Sequence, residues 1–152
     1  MKQLVIFVAL LSISSISYSA WDPPSTVAGV GLVGNDNSLV LDTSDYAHIA
    51  YYGDGYLMYI YWDGSSWSSP ETICAYSGGG VSLKFSQDGH KHIAFINNND
   101  LQYAKWDGTS WSTQIVDNLS YGVGYTSIDL DTNNNPCISY CGSNSINYAK
   151  WT

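Results

Sequence analysis

From Leu39 onward the apolar residues fall at every second position in short runs: Leu39 and Leu41, Ile49 and Tyr51, then Leu57, Tyr59 and Tyr61. A period of two is the signature of β-strands. The runs are separated by turn chemistry at Asp42-Thr43-Ser44-Asp45, Gly53-Asp54-Gly55 and Ser77-Gly78-Gly79-Gly80. After a turn on Asp63-Gly64, the segment from Trp67 to Ile73 supplies a fourth strand. The alternate positions are small or apolar too: Ala50, Ala94 and Ser139 in the second strands, Ile60, Ala104 and Ala149 in the third. Both faces of each sheet are therefore expected to be covered, unlike an antiparallel sheet with one wet face.

The pattern repeats. Ser38-Leu39 returns as Ser82-Leu83 and Ser127-Ile128, at offsets of 44 and 45 residues. In step with it, His48-Ile49-Ala50-Tyr51 returns as His92-Ile93-Ala94-Phe95 and Cys137-Ile138-Ser139-Tyr140. Leu57-Met58-Tyr59 returns as Leu101-Gln102-Tyr103 and Ile146-Asn147-Tyr148. Trp62-Asp63-Gly64-Ser65-Ser66-Trp67 returns once, as Trp106-Asp107-Gly108-Thr109-Ser110-Trp111. Four short antiparallel strands per repeat of this length describe one blade of a β-propeller. The third repeat stops at Trp151-Thr152, before its fourth strand. Trp21 precedes Ser38 by 17 residues, much as Trp67 precedes Ser82 by 15, so the segment Trp21 to Val30 reads as a displaced fourth strand that completes the last blade. The expected fold is all-β: three four-stranded antiparallel blades of 44–45 residues.

Residues 1–19 read as a signal peptide: Lys2, the apolar run Leu4 to Leu11, then small residues at Ser17 and Ser19. The apolar run is too short to span a bilayer. Residues 20–152 are then one repeat domain, expected to be secreted, extracellular or periplasmic. Cys74, Cys137 and Cys141 are an odd number. At most one internal bridge can form, and the strand-like Cys137-Ile138-Ser139-Tyr140-Cys141 holds its two ends too far apart to be that bridge. Cys74 with either of them, a bridge between chains, and small buried thiols all remain open.

Composition narrows the function. Five basic residues face 13 acidic ones for a net charge of −8, and all five are lysines. Without a basic cluster there is no footprint for nucleic acid or for an anionic membrane surface. With no arginine, bidentate guanidinium recognition of carboxylate or phosphate is excluded.

Around Trp62-Asp63-Gly64-Ser65-Ser66-Trp67 and Trp106-Asp107-Gly108-Thr109-Ser110-Trp111, the chain resembles secreted β-propeller repeat proteins. It is distantly similar to the Asp-box propellers, sialidases among them, although Asp and Gly are adjacent here. It is also similar to short-chain propeller lectins, in which two-blade chains assemble into a six-blade ring. The sialidase likeness implies an arginine triad around the substrate carboxylate, and this chain has none. The fucose-binding six-blade lectins commonly use an arginine as well.

The resemblance and the aromatic content together give the leading expectation, a non-catalytic, lectin-like carbohydrate-binding module. Its sugar platform would be Trp62, Asp63 and Trp67 with Trp106, Asp107 and Trp111: indole faces for stacking, and carboxylates to accept hydroxyl hydrogen bonds. The same tryptophans also read as cross-strand pairs that stabilise their hairpins. His48, His92 and Cys137 share one blade position and His90 neighbours His92, but packed, hydrogen-bonded histidines are the simpler reading, and no metal or cofactor is expected. Asp131 to Asn135 resembles the start of a calcium loop and equally an ordinary turn. Asn118-Leu119-Ser120 is a glycosylation sequon. The alternatives are a sialidase-like or other propeller hydrolase, a structural or adhesive surface protein, and a fragment of a longer repeat protein. Three blades leave apolar faces uncovered, so the expected partners are a glycan and a second copy of the chain, two chains making six blades.

Overall fold

The computed structural model describes residues 21–29, 33–119 and 124–152; the signal-peptide segment 1–19 lies outside them. Among the described residues, eleven strands form three antiparallel sheets and no helix occurs. The first sheet is β1 (Val33–Leu41), β2 (Ala47–Gly53), β3 (Tyr56–Tyr61) and β4 (Glu71–Ala75), paired in chain order. The second is β5 (Gly79–Phe85), β6 (Lys91–Asn97), β7 (Asp100–Trp106) and β8 (Trp111–Asn118), and the third has only β9 (Thr126–Leu130), β10 (Pro136–Cys141) and β11 (Ile146–Lys150).

Each sheet forms locally because its turns are encoded. The β2–β3 hairpin turns at Asp54-Gly55 and the β6–β7 hairpin at Asn98-Asn99, all four with positive φ. Those are the residues that tolerate the left-handed conformation a tight hairpin demands. Between β1 and β2, Asp42 Oδ1 accepts the N–H of Ser44 at 2.8 Å and of Tyr46 at 2.9 Å. Asp131 does the same between β9 and β10, accepting from Asn133 and Asn135, each at 2.9 Å. Its carboxylate also takes the Asn135 side chain at 3.3 Å and Lys150 Nζ at 3.1 Å. The calcium-like run is therefore the third copy of a turn.

The second sheet packs through both its faces, as the two-sided apolar pattern implies. Ala50, Leu57 and Tyr59 of the first sheet pack on Leu83, Ile93, Phe95 and Ala104 of the second. The opposite face of the second sheet, Ala94, Ile96, Leu101 and Tyr103, packs on Ile128, Ile138 and Tyr140 of the third. Tyr140 further ties third to second by donating to Asp117 Oδ2 at 2.6 Å. The outer faces of the stack carry exposed apolar residues, Leu39 and Leu41 on the first sheet, Ile146 and Tyr148 on the third.

Two expectations need correction. Residues 21–29 form no strand, and no fourth strand joins β11 among the described residues. Val27, Ala28 and Gly29 lie instead beside Ile49, Tyr51 and Met58 of the first sheet. The segment leads into β1, at the opposite end of the stack from β11, so within one chain it stays at the first sheet. Second, the fourth strand of the first sheet begins at Glu71, not Trp67; Trp67 makes an isolated bridge to Trp62. Pro70, which has no N–H to give, lies just before the strand. The three cysteines are free, half-buried thiols.

Candidate functional site

The two Trp-Asp-Gly hairpins are built alike. Asp63 Oδ1 accepts the N–H of Ser65 at 2.7 Å and of Ser66 at 2.8 Å, and Asp107 Oδ1 accepts from Thr109 at 2.8 Å and Ser110 at 2.9 Å. Gly64 and Gly108 sit at φ 97° and 99°, where a side chain would be strained. These donors, led by Ser66, pull the Asp63 carboxyl down to about 2, and the Ser110 and Thr109 amides lower Asp107 as well. Each turn brings its indoles ring to ring across the hairpin. The centroids are 5.8 Å apart for Trp62 and Trp67 and 5.6 Å for Trp106 and Trp111. All four rings are half-buried and both aspartates are exposed.

The second hairpin does more, because it meets the first sheet. Trp111 packs edge-on against Tyr59 at 5.6 Å and donates its indole N–H to Glu71 Oε2 at 3.3 Å. Lys91 Nζ lies 5.1 Å from the Tyr59 ring centroid and 4.9 Å from that of Trp106, within cation–π range of both. Burial lowers the Lys91 ammonium and Glu71 opposes that shift. The junction between the first two sheets therefore carries an aromatic pair, a cation and a carboxylate. Lys91, Glu71 and Tyr59 were not singled out by sequence. Lys91 replaces Ala47 and is replaced by Pro136 in the other repeats, so periodicity gave no signal for it.

Below this lies a polar layer. His48 Nδ1 bonds the Tyr59 hydroxyl and its Nε2 reaches Asp42 Oδ2 at 3.3 Å. Tyr59 is fully buried, and burial raises its phenol far above the ordinary range. In the second sheet, His92 Nδ1 meets the Tyr103 hydroxyl at 2.5 Å. Ser86 stands where Asp42 stands and is engaged with Asp88, so the buried His92 Nε2 has no partner among the described residues. Burial first, then Lys105, drives His92 down to about 4. Both histidines are packed and hydrogen-bonded, in separate junctions, and no group of three metal-ligating side chains occurs among the described residues.

The junction between the second and third sheets repeats the first without its fourth-strand tryptophan. Tyr103 stands for Tyr59, Trp151 for Trp106, and Gln114, paired with Tyr103 as Glu71 is with Tyr59, for the carboxylate. Where Trp111 fills the first junction, the second has clefts of about 280 and 260 Å3, both lined by Tyr103, Gln114, Pro136 and Trp151.

No family model matches the chain, and no curated protein does. Among solved structures, a fucose lectin from Kordia zhangzhouensis in complex with methyl-fucoside is similar in fold. The identity is 23%, over 76% of this chain and 91% of that one, with a TM-score of 0.51.

Proposed function

We propose that the chain is a secreted, non-catalytic, lectin-like module that binds carbohydrate, its three sheets being blades of a β-propeller. The observation that carries this reading is the half-buried Trp106–Trp111 pair at the junction of the first two sheets, with Lys91 and Glu71 beside it. Indole faces suit the C–H face of a sugar ring, and an adjacent ammonium and carboxylate supply the donor and acceptor that hydroxyls require. Fold likeness to a lectin supports the same reading.

Two chains related by a twofold axis complete a six-blade ring. The face of the third sheet that bears Ile146 and Tyr148 corresponds, repeat for repeat, to the faces that already pack on the next sheet. The face of the first sheet that bears Leu39 corresponds to the faces that receive them. Each exposed face thus has its complement on a second copy.

A glycan array with protein of known sedimentation mass tests the reading. Binding that is lost in Trp106→Ala, with the fold retained by circular dichroism at the assay temperature, supports it. Unchanged binding in that variant removes the pair from the site, and a folded wild type that binds no glycan overturns the function.

A further inference from the structure

We infer that the open edge of β11 receives residues 21–29 of a second copy, with Trp21 of the partner subunit seated in the cleft between Tyr103 and Trp151. The inference rests on the two-chain ring proposed above and adds an exchanged strand to it.

Two segments of the same chain match. Trp21-Asp22-Pro23-Pro24-Ser25-Thr26-Val27-Ala28-Gly29 aligns without a gap on Trp67-Ser68-Ser69-Pro70-Glu71-Thr72-Ile73-Cys74-Ala75, the stretch that ends as β4. Trp, the second Pro and Thr coincide, a branched aliphatic follows, then small residues. The segment therefore has the sequence of a fourth strand, yet Trp21 is 99% exposed. An indole wholly in water forgoes the burial that its surface would otherwise gain.

The second junction also has the shape of the seat that Trp111 fills in the first. In the first junction Trp111 contacts Tyr59 and Trp106 and donates to Glu71. In the second, Tyr103, Trp151 and Gln114 present the same two rings and an amide oxygen able to accept the indole N–H, around a cleft of about 280 Å3. The cleft also leaves Ile115 of β8 58% exposed. β11 pairs with β10 on one side only, so its other edge has backbone groups to offer. Pro23 and Pro24 would be tolerated there, since an added outermost strand needs no N–H on its far side.

The donor is a second copy. The end of the chain's own segment, Val27 to Gly29, lies at the far face of the first sheet, beside Tyr51 and Met58. That is the face which meets the third sheet of the other chain in the ring, so the partner's segment starts at the junction it has to close. Transferring the β3–β4 register places Ser25 of the partner subunit opposite Tyr148, as Glu71 lies opposite Tyr59.

The test uses three variants on a background with Cys74, Cys137 and Cys141 replaced by serine, carrying Ser25→Cys, Tyr148→Cys and both. Mixed and oxidised, the two single variants are expected to give a covalent heterodimer that neither gives alone. A disulfide that forms only within one chain carrying both substitutions overturns the exchange, as does a dimer by sedimentation with no cross-link. A monomer by sedimentation of the wild type overturns the ring itself. With the native cysteines kept, acrylamide quenching of wild type against Trp21→Phe gives a second readout: Trp21 emission is expected to be shielded in the dimer, and quenching as strong as that of free tryptophan overturns the seat. Trp21→Ala is expected to weaken dimerisation about tenfold or more.

Discussion

Ser38 Oγ accepts the backbone N–H of Leu83 at 2.9 Å, across the junction between the first and second sheets. Ser82 repeats the contact on Ile128 at 3.1 Å, between the second and third. The serine that marks each repeat is thus a clamp between sheets: its hydroxyl satisfies an N–H that the neighbouring ladder leaves free.

Ser82→Ala should strand the Ile128 N–H in a half-buried setting and cost about 1–2 kcal/mol. Ser127→Ala should leave the folding of a single chain unchanged, because the described residues offer Ser127 no following sheet. Urea midpoints of the two variants, taken at concentrations where sedimentation shows a single chain, measure the contrast; equal losses there would show that the clamp is not what these serines provide.

His92 makes stability depend on pH. Its folded form holds a proton less tightly, at about 4, than an ordinary histidine at 6.5, so acid favours the unfolded chain. The contribution is complete above about pH 6.5 and is lost as pH falls towards 4, on the order of 3 kcal/mol in all. His48, also lowered by burial, acts in the same direction. Chemical denaturation between pH 7.5 and 4 should show the loss in wild type and a shallower one in His92→Gln. Identical slopes would remove His92 from the account.

Lys91 should stabilise the first junction through its charge as well as its stem. Lys91→Met keeps the stem and loses the cation–π contacts to Tyr59 and Trp106, an expected cost of about 1 kcal/mol. Lys91→Arg should retain most of that. Equal stability of Met and Lys in equilibrium unfolding would show that only the aliphatic stem matters.

Trp62→Ala and Trp106→Ala should differ in stability. Trp106 touches Lys91 and Trp111, which in turn reaches Tyr59 and Glu71 of the other sheet, whereas Trp62 contributes to its own hairpin through Trp67. Melting temperatures in the absence of ligand are expected to fall further for Trp106→Ala. The reverse order would place the more important aromatic pair on the first hairpin.

Strands and turns were legible because they are set by neighbours in the chain. Alternation marked β2 and β3, recurrence carried the reading to β6 and β7, and Asp54-Gly55 marked the first of the two hairpin turns, whereas Asn98-Asn99 was found only in the structure. Pairing of Trp62 with Trp67 and of Trp106 with Trp111 followed from the hairpin spacing alone. The seat of Lys91 was hidden, because Ala47, Lys91 and Pro136 share a repeat position without sharing chemistry. Equally hidden was the missing Asp42 equivalent beside His92, since its consequence is a buried nitrogen that only packing reveals.

By itself the sequence determined an all-β chain of three like repeats, two-sided sheets and an acidic surface with no arginine, because period-two patterning, turn residues and composition act over a few residues at a time. The tertiary structure decided which face meets which sheet, where the cation and the carboxylate join the tryptophans, and that β11 keeps an open edge while residues 21–29 lie at the other end of the stack. Those outcomes depend on the order in which sheets stack, and stacking brings together residues some 40 or more positions apart, as Ser38 and Leu83 do.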